Sequence, residues 1–348
     1  MSGCQCGYGS GCGNHGSQPL GVDSKWTCAG TSSADGASRR NRRTSRYRRR
    51  DGVRRPGTRK LEEILLTVHR YRMVDREIIQ LLHFTPAGKS AAQRALTNLW
   101  WSKHLDKLPG RPLNAKDVYM VSGRARRGMR VLEGLVGRDE ARSRLQRFPA
   151  VEHALAVNHF RARVELSAKK HSMTVVRWDD ELDLAQLAKE HIVPDAFFVL
   201  GRMVDGRERQ AGFMLEMEIA PVSRTHWRRR LESYAQFYYS GTYRDQFGLS
   251  SLRLLVQVST GGGHLRSITE EAERVGFTPI RVASSKAIAA CPDLLASDVW
   301  WSPSGNQRLY GPDATESVGD AFAAASAPAY SSRDVRHCPD QDCSHPRR

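Results

Sequence analysis

Phe213-Met214-Leu215-Glu216-Met217-Glu218-Ile219-Ala220 is the stretch that decides the architecture. Successive side chains of a strand point to opposite faces, so Phe213, Leu215, Met217 and Ile219 share one face. Met214, Glu216, Glu218 and Ala220 share the other, and burying the first set leaves two carboxylates side by side. A strand in mid-sheet keeps paired acids only where something compensates their repulsion and desolvation. A divalent cation does so. Asp195, behind Pro194, lies 21 residues before Glu216 on the preceding predicted strand. If the two strands pair as a hairpin through Gly201–Gln210, Asp195 comes opposite the glutamates and three oxygen ligands converge, as Mg²⁺ or Mn²⁺ requires. Glu181, just after the strand that ends at Trp178, adds a fourth carboxylate.

Working outward, Val151–Lys170 reads as a helix, with Leu155, Phe160, Val164 and Leu166 among its apolar residues. Strand-like runs follow at Met173–Trp178, Ile192–Leu200 and Ala211–Ala220, then a long helix, Thr225–Tyr239. Strand Leu252–Ser259, helix Ile268–Val275 and strand Pro279–Ala283 complete the order α-β-β-β-α-β-α-β. That order predicts a mixed sheet flanked by helices over residues 150–302, in a chain of the α+β class.

Upstream, Leu61, Ile64, Leu65 and Val68 recur at helical spacing. Asp75 reads as the N-cap of a second helix carrying Ile78, Ile79, Leu81 and Leu82. After the breaker Thr85-Pro86-Ala87-Gly88, a third helix from Lys89 to His104 carries Ala92, Ala95, Leu96, Leu99 and Trp100 as its stripe. A short hairpin follows around Pro109-Gly110, and a fourth helix from about Ser122 carries Arg124, Arg126, Arg127 and Arg130. Three helices and a hairpin are the order of a winged helix, expected over 59–137, whose third helix enters the major groove. Its outward residues are Lys89, Ser90, Gln93, Arg94, Thr97 and Asn98; with Arg124, Arg126 and Arg127 they suit phosphate and base-edge contacts. A solvated polar face is the plainer reading of the same residues. Gly88-Lys89-Ser90 is no P-loop, because His83 stands where the upstream glycine belongs, and Gly261-Gly262-Gly263 lacks the spacing of a dinucleotide fingerprint.

The chain has 348 residues and a formal net charge of +17, with 40% hydrophobic residues, enough for a core. No run approaches the roughly 18 apolar residues of a membrane span. Met1–Gly13 lacks the apolar segment of an export signal, and seven cysteines in such a length make no disulfide scaffold. A membrane protein and a small secreted scaffold are thereby excluded, and the expected location is the cytoplasm, on nucleoid or plasmid. Residues 1–60 carry a net +10, mostly in Arg39–Lys60, where twelve of 22 residues are basic. This arm is expected to stay disordered until it meets an anion. Residues 1–58, a Gly/Cys-rich leader and then the arm, and residues 303–348 read as tails. Cys4, Cys6 and Cys12 at one end, and His337, Cys338, Cys343 and His345 at the other, are zinc-type residues without a standard finger spacing.

Pro194-Asp195 followed by Glu216-Met217-Glu218, within the order α-β-β-β-α-β, resembles the PD-(D/E)xK nuclease superfamily. More narrowly, about 61–302 resembles the replication-relaxation family of plasmids and other mobile elements. The signals are Arg70-Tyr71, Tyr119–Gly123, His153–Asn158, Trp178-x-x-Glu181, Pro194-Asp195, Leu215-Glu216-x-Glu218 and Tyr234. The resemblance implies an N-terminal winged helix, a restriction-endonuclease-like second domain, and a role in plasmid DNA replication or conjugative transfer. It also implies that the catalytic lysine of the superfamily falls at Glu218, so that Arg230, one turn after Trp227, is the nearest stand-in. Arginine stabilises developing charge but cannot act as a base at neutral pH. Pro221 ends the strand where the family tends to continue Arg-Gly-Thr.

Four functions compete. A metal-dependent DNA endonuclease would use Asp195, Glu216, Glu218 and Arg230 as its catalytic residues, with Mg²⁺ or Mn²⁺ held by Asp195, Glu216, Glu218 and Glu181. A non-catalytic DNA-binding protein would keep the same fold as a platform. A tyrosine relaxase would use Tyr234, Tyr238 or Tyr239, but no His-x-His strand accompanies them, and Tyr234 and Tyr238 fit a core stripe with Trp227 and Leu231. A plain α+β protein with neutralised glutamates is the fourth. The partners expected are double-stranded plasmid DNA and a second copy of the chain.

Overall fold

The computed structural model describes residues 59–108, 115–121, 125–143, 150–187, 192–259, 261–303 and 305–309. The leader, the arginine-rich arm up to residue 58, the tail beyond 309, both Cys/His clusters and Arg124 lie outside the described residues.

The first elements are α1 (Arg59–Arg70), β1 (Met73–Val74), α2 (Arg76–His83), α3 (Lys89–Trp101), β2 (Asp106–Lys107), β3 (Tyr119–Met120) and α4 (Arg126–Val136). Their three short strands form a sheet in the order β1-β3-β2, all antiparallel. Asp75 caps α2 as its position predicts, its Oδ1 accepting from the amide of Ile78 at 3.0 Å. The apolar stripes of α1, α2 and α3 close on one core with Tyr71, Met73, Leu105 and Tyr119. Helix α4 presses against the turn after α3: a methyl group built at Gly128 would stand 2.0 Å from the His104 carbonyl oxygen. Alanine normally favours a helix over glycine by about 1 kcal/mol. Here Gly128→Ala is instead expected to cost about 2–3 kcal/mol in urea denaturation, because backbone must move to admit the methyl.

The chain continues through α5 (Arg138–Ser143), α6 (Val151–Lys170), β4 (Thr174–Asp180), α7 (Glu181–Leu187), β5 (Ala196–Val204) and β6 (Arg207–Glu218). Then come α8 (Arg224–Tyr239), α9 (Thr242–Phe247), β7 (Leu252–Val258), α10 (Gly262–Val275), β8 (Ile280–Ser284), α11 (Ser285–Ala290), β9 (Trp300–Ser302) and β10 (Gly305–Gln307). The fold is α+β, with a seven-stranded mixed sheet in the order β10-β9-β8-β7-β6-β5-β4. Strands β4, β5 and β6 are antiparallel neighbours, β6, β7 and β8 run parallel, and β9 and β10 return antiparallel. The segment α6-β4-β5-β6-α8-β7 thus follows the order read from the sequence.

Alternation sorts the two faces as the Phe213–Ala220 stretch requires. Phe213, Leu215 and Met217 pack with Phe160 and Val164 of α6, while Met214 joins Trp227, Leu231 and Tyr234 of α8. Two boundaries move for identifiable reasons. Strand β5 starts at Ala196, not Ile192, since Pro194 has no N–H to pair. The hairpin from β5 to β6 turns tightly at Asp205-Gly206, both in the left-handed region at φ +50° and +73°, so strand pairing runs well into the segment expected as a loop.

The helical segment and the sheet segment are keyed together by α6. Asn158 Nδ2 donates to the carbonyls of Tyr71 and Met73, both at 2.9 Å. Arg161 reaches the Arg70 carbonyl at 3.2 Å and lies over the rings of Tyr71 and Trp178. Arg72, nearly buried, bonds Asp180 at 2.5 Å and Asp183 at 2.7 Å.

Candidate functional site

Ala196 pairs with Leu215, which sets Asp195 beside Glu216 at the mouth of the β5–β6 ladder. The Asp195 amide donates to the Leu215 carbonyl at 3.0 Å, and its Oδ2 accepts from the Met217 amide at 2.6 Å. Asp195 Oδ1 meets His153 Nε2, from the first turn of α6, at 2.9 Å. That hydrogen bond raises the His153 pKa above its usual value against the effect of burial, helped by the charges of Asp195, Glu181 and Glu216.

Glu216 is the most enclosed of the acids. Its Oε1 accepts from the Tyr234 hydroxyl, and its Oε2 lies 2.6 Å from Arg230 Nη2. Burial pushes the carboxyl up to about 8, opposed by the Arg230 charge and reinforced by Asp195. Burial also holds the Tyr234 phenol well above its ordinary value, so Tyr234 stays a neutral donor to Glu216. A nucleophilic tyrosine would need the opposite shift. Glu218 Oε2 accepts from Trp227 Nε1 at 2.7 Å; its Oε1 accepts from the Val222 amide at 3.0 Å and also contacts His264 Nε2. The two side chains that contact Glu218 come from helix starts, Trp227 in the first turn of α8 and His264 in that of α10.

The sheet therefore sets Asp195 beside Glu216 and Arg230, whereas Glu218, two residues along β6, is held by Val222, Trp227 and His264. The oxygens of the three acids do not gather within 4.8 Å of one another as the sequence reading expects. Glu181, the first residue of α7, is exposed and acts on the group through its charge on His153. A divalent ion needs several carboxylate oxygens turned to one point. Here each oxygen of Asp195, Glu216 and Glu218 already has a donor in the chain. The compensating positive charge at Glu216 comes from Arg230, and the raised pKa of His153 favours its charged form beside Asp195. As arranged, these residues do not fit the ion. Among the described residues, the carboxylate–histidine group whose ligand atoms lie within 4.8 Å of one another is elsewhere, at Asp75, Glu77 and His159. A divalent cation is compatible with that group, although Asp75 also caps α2 and Glu77 pairs with Lys116 at 2.9 Å.

The sequence reading missed His153, Trp227 and His264 as parts of the site. His153 opens a motif that was legible. Trp227 and His264 carry no signal, because α8 follows β6 and α10 follows β7, and only the parallel pairing of those two strands brings both helix starts to Glu218.

On α3, Lys89, Ser90 and Arg94 are exposed, while Gln93, Thr97 and Asn98 are half-buried. Gln93 Nε2 donates to Thr97 Oγ1 at 3.1 Å and to the Tyr119 hydroxyl at 3.0 Å, tying α3 to β3. Arg127 is exposed at the start of α4; the side chain of Arg126 lies outside the described residues. Among the described residues, no helix is long and apolar enough to cross a membrane.

A sequence model described as replication-relaxation matches residues 65–251, more than half of the chain. No curated protein matches the chain. The solved structure of the restriction endonuclease FokI is similar at 9% identity, covering 66% of this chain and 42% of that one with a TM-score of 0.26. The chain thus spans about two fifths of that structure's length, and at this score the likeness carries no argument.

Proposed function

Because the chain belongs to the replication-relaxation family, we propose that it binds duplex DNA during plasmid or mobile-element replication or transfer. In this reading residues 59–137 are a winged-helix DNA-binding domain, and the sheet over 150–302 is a nuclease-like platform whose acids serve structure. The carrying observation is α3. It buries Ala92, Ala95, Leu96, Leu99 and Trp100 and turns Lys89, Ser90 and Arg94 to solvent, next to a three-stranded antiparallel sheet. The order helix, strand, helix, helix, strand, strand is that of a winged helix, and the net charge of +17 suits a polyanion. Gln93 and Thr97 then orient the helix from β3, leaving contact with DNA to Lys89, Ser90, Asn98, Arg94 and Arg127.

Fluorescence anisotropy with a labelled duplex tests this. Wild type is expected to bind with a steep salt dependence, and Lys89→Glu/Arg94→Glu to weaken binding at least about 10-fold with the thermal melt unchanged. Salt-insensitive binding, or equal binding by the double variant, overturns it. The competing reading is an endonuclease using Mg²⁺ or Mn²⁺ at Asp195, Glu216 and Glu218. Supercoiled plasmid incubated with either ion is expected to stay intact; cleavage lost in Asp195→Ala would replace the platform reading with that one.

A further inference from the structure

The β5–β6 hairpin outruns the sheet that carries it. Strand β4 pairs with β5 only as far as Gly201, against Thr174, and β7 first meets β6 at Gly212, against Leu252. Between those points β5 and β6 pair only with each other, through Arg202↔Arg209, Met203↔Glu208 and Val204↔Arg207. Among the described residues no third strand flanks this part, so residues 202–210 form a two-stranded ribbon closed by the Asp205-Gly206 turn.

Cross-strand partners share a face. Arg202 and Arg209 therefore stand together, and Arg207 with Val204 continues the same face toward the tip. Glu208 and Met203 fall on the opposite face, where Gln210 Nε2 donates to Glu208 Oε1 at 3.1 Å. One face thus gathers three arginines, with Arg207 and Arg209 exposed, while Glu208 is turned away from them and Asp205 lies in the closing turn. The ribbon's basic face is continuous with the sheet face that packs on α6. On that face β7 adds Arg253 beside Phe213, and β8 adds Arg281 beside Leu255. Burial lowers the pKa of both, Arg281 to about 10. Arg281 Nη1 donates to the carbonyls of Thr278 at 3.4 Å and Ile280 at 2.7 Å.

We propose that this ribbon is a second DNA-contacting element, seating Arg202, Arg207 and Arg209 against the phosphates of a duplex. The major groove of B-DNA is about 12 Å wide and admits a two-stranded ribbon as readily as a helix. Arginine suits the task because its planar fork matches phosphate oxygens. The nine residues of β5 set the ribbon roughly 25–30 Å from the carboxylate group, so it acts independently of those side chains. The proposal rests on the DNA-binding reading and adds a contact that α3 does not supply.

The test uses the full chain, a labelled 40-bp duplex and a salt titration, with Arg202→Gln/Arg207→Gln/Arg209→Gln beside the α3 double variant. Each lost phosphate contact lowers the slope of log affinity against log salt by about 0.9, so the triple variant should lose about 2–3 units of slope. Arg207→Glu alone, at the exposed tip, should weaken binding several-fold and guards against misfolding of the triple variant, which circular dichroism checks. If wild type fails to bind the duplex at all, the DNA-binding reading falls. If wild type binds, the α3 variant loses affinity and both hairpin variants keep slope and affinity, only the ribbon proposal falls. Hairpin variants that lose binding to an RNA duplex while binding DNA normally would overturn it as well.

Discussion

Arg72→Ala will lower the stability of the chain by about 3–4 kcal/mol, and Arg72→Gly by about 1 kcal/mol less. Two separate features of this residue set the two numbers. Its guanidinium is 3% exposed and bonds Asp180 and Asp183, which are 24% and 31% exposed. Removing it leaves two half-buried carboxylates without their cation and opens space beneath α6. Asp180 Oδ1 keeps the amides of Leu182 and Asp183 at the start of α7, which holds the loss below that of a fully orphaned charge. The backbone of Arg72 sits at φ +61°, where any side chain with a Cβ is strained and glycine is not. Alanine therefore loses the ion pairs and keeps the strain, whereas glycine sheds it. Urea denaturation of both variants measures the difference. Equal midpoints for alanine and glycine, or a loss under about 1 kcal/mol for alanine, would mean that the Arg72 bridge does not hold the helical and sheet segments together.

Arg72 also shows where a sequence reading stops. The paired glutamates of Phe213–Ala220 were legible because alternation is local: two acids on the buried face of a strand demand compensation wherever the strand lies. The order α-β-β-β-α-β was legible for the same reason, each element carrying its own period. The identity of the compensator was not. Nothing in the spacing says whether the positive charge at Glu216 is an ion or Arg230, since that depends on how α8 crosses the sheet. The short strands β1, β9 and β10 were also missed, because two or three residues are too few to show a period. The pairing of β5 with β6 is legible as a hairpin, but its connection, Gly201–Gln210, looks like a solvated turn because of Arg207, Glu208 and Arg209; only the register shows that these residues alternate on a ribbon.

Arg230→Met should cost about 1 kcal/mol at pH 6 and about 2–3 kcal/mol at pH 9. The pH dependence follows from Glu216, whose carboxyl burial raises to about 8 from an ordinary 4.5. A raised acid binds its proton more tightly folded than unfolded, so its contribution to stability falls as pH rises from about 4.5 to about 8 and is level above that. At pH 6 Glu216 is largely protonated, and losing Arg230 removes one hydrogen-bonding partner from a neutral group. At pH 9 the same substitution strands a buried anion with only the Tyr234 hydroxyl beside it. The carboxyl then stays protonated, and the variant goes on losing about 1.4 kcal/mol for each pH unit between the wild-type value of about 8 and its own higher pKa, where wild type has already levelled off. His153 is raised in part by the Glu216 charge, so its share in the pH dependence is removed together with the carboxyl in the Glu216→Gln pair. Glu216→Gln flattens the profile from the other side, because no proton is left to exchange. In Glu216→Gln/Arg230→Met the cost of the arginine substitution should be the same at both pH values. Chemical denaturation of the four proteins at pH 6, 7.5 and 9 completes the cycle. An Arg230→Met cost that does not grow with pH would show that Glu216 is charged throughout, held by Arg230 as a permanent ion pair, and the raised carboxyl would be wrong.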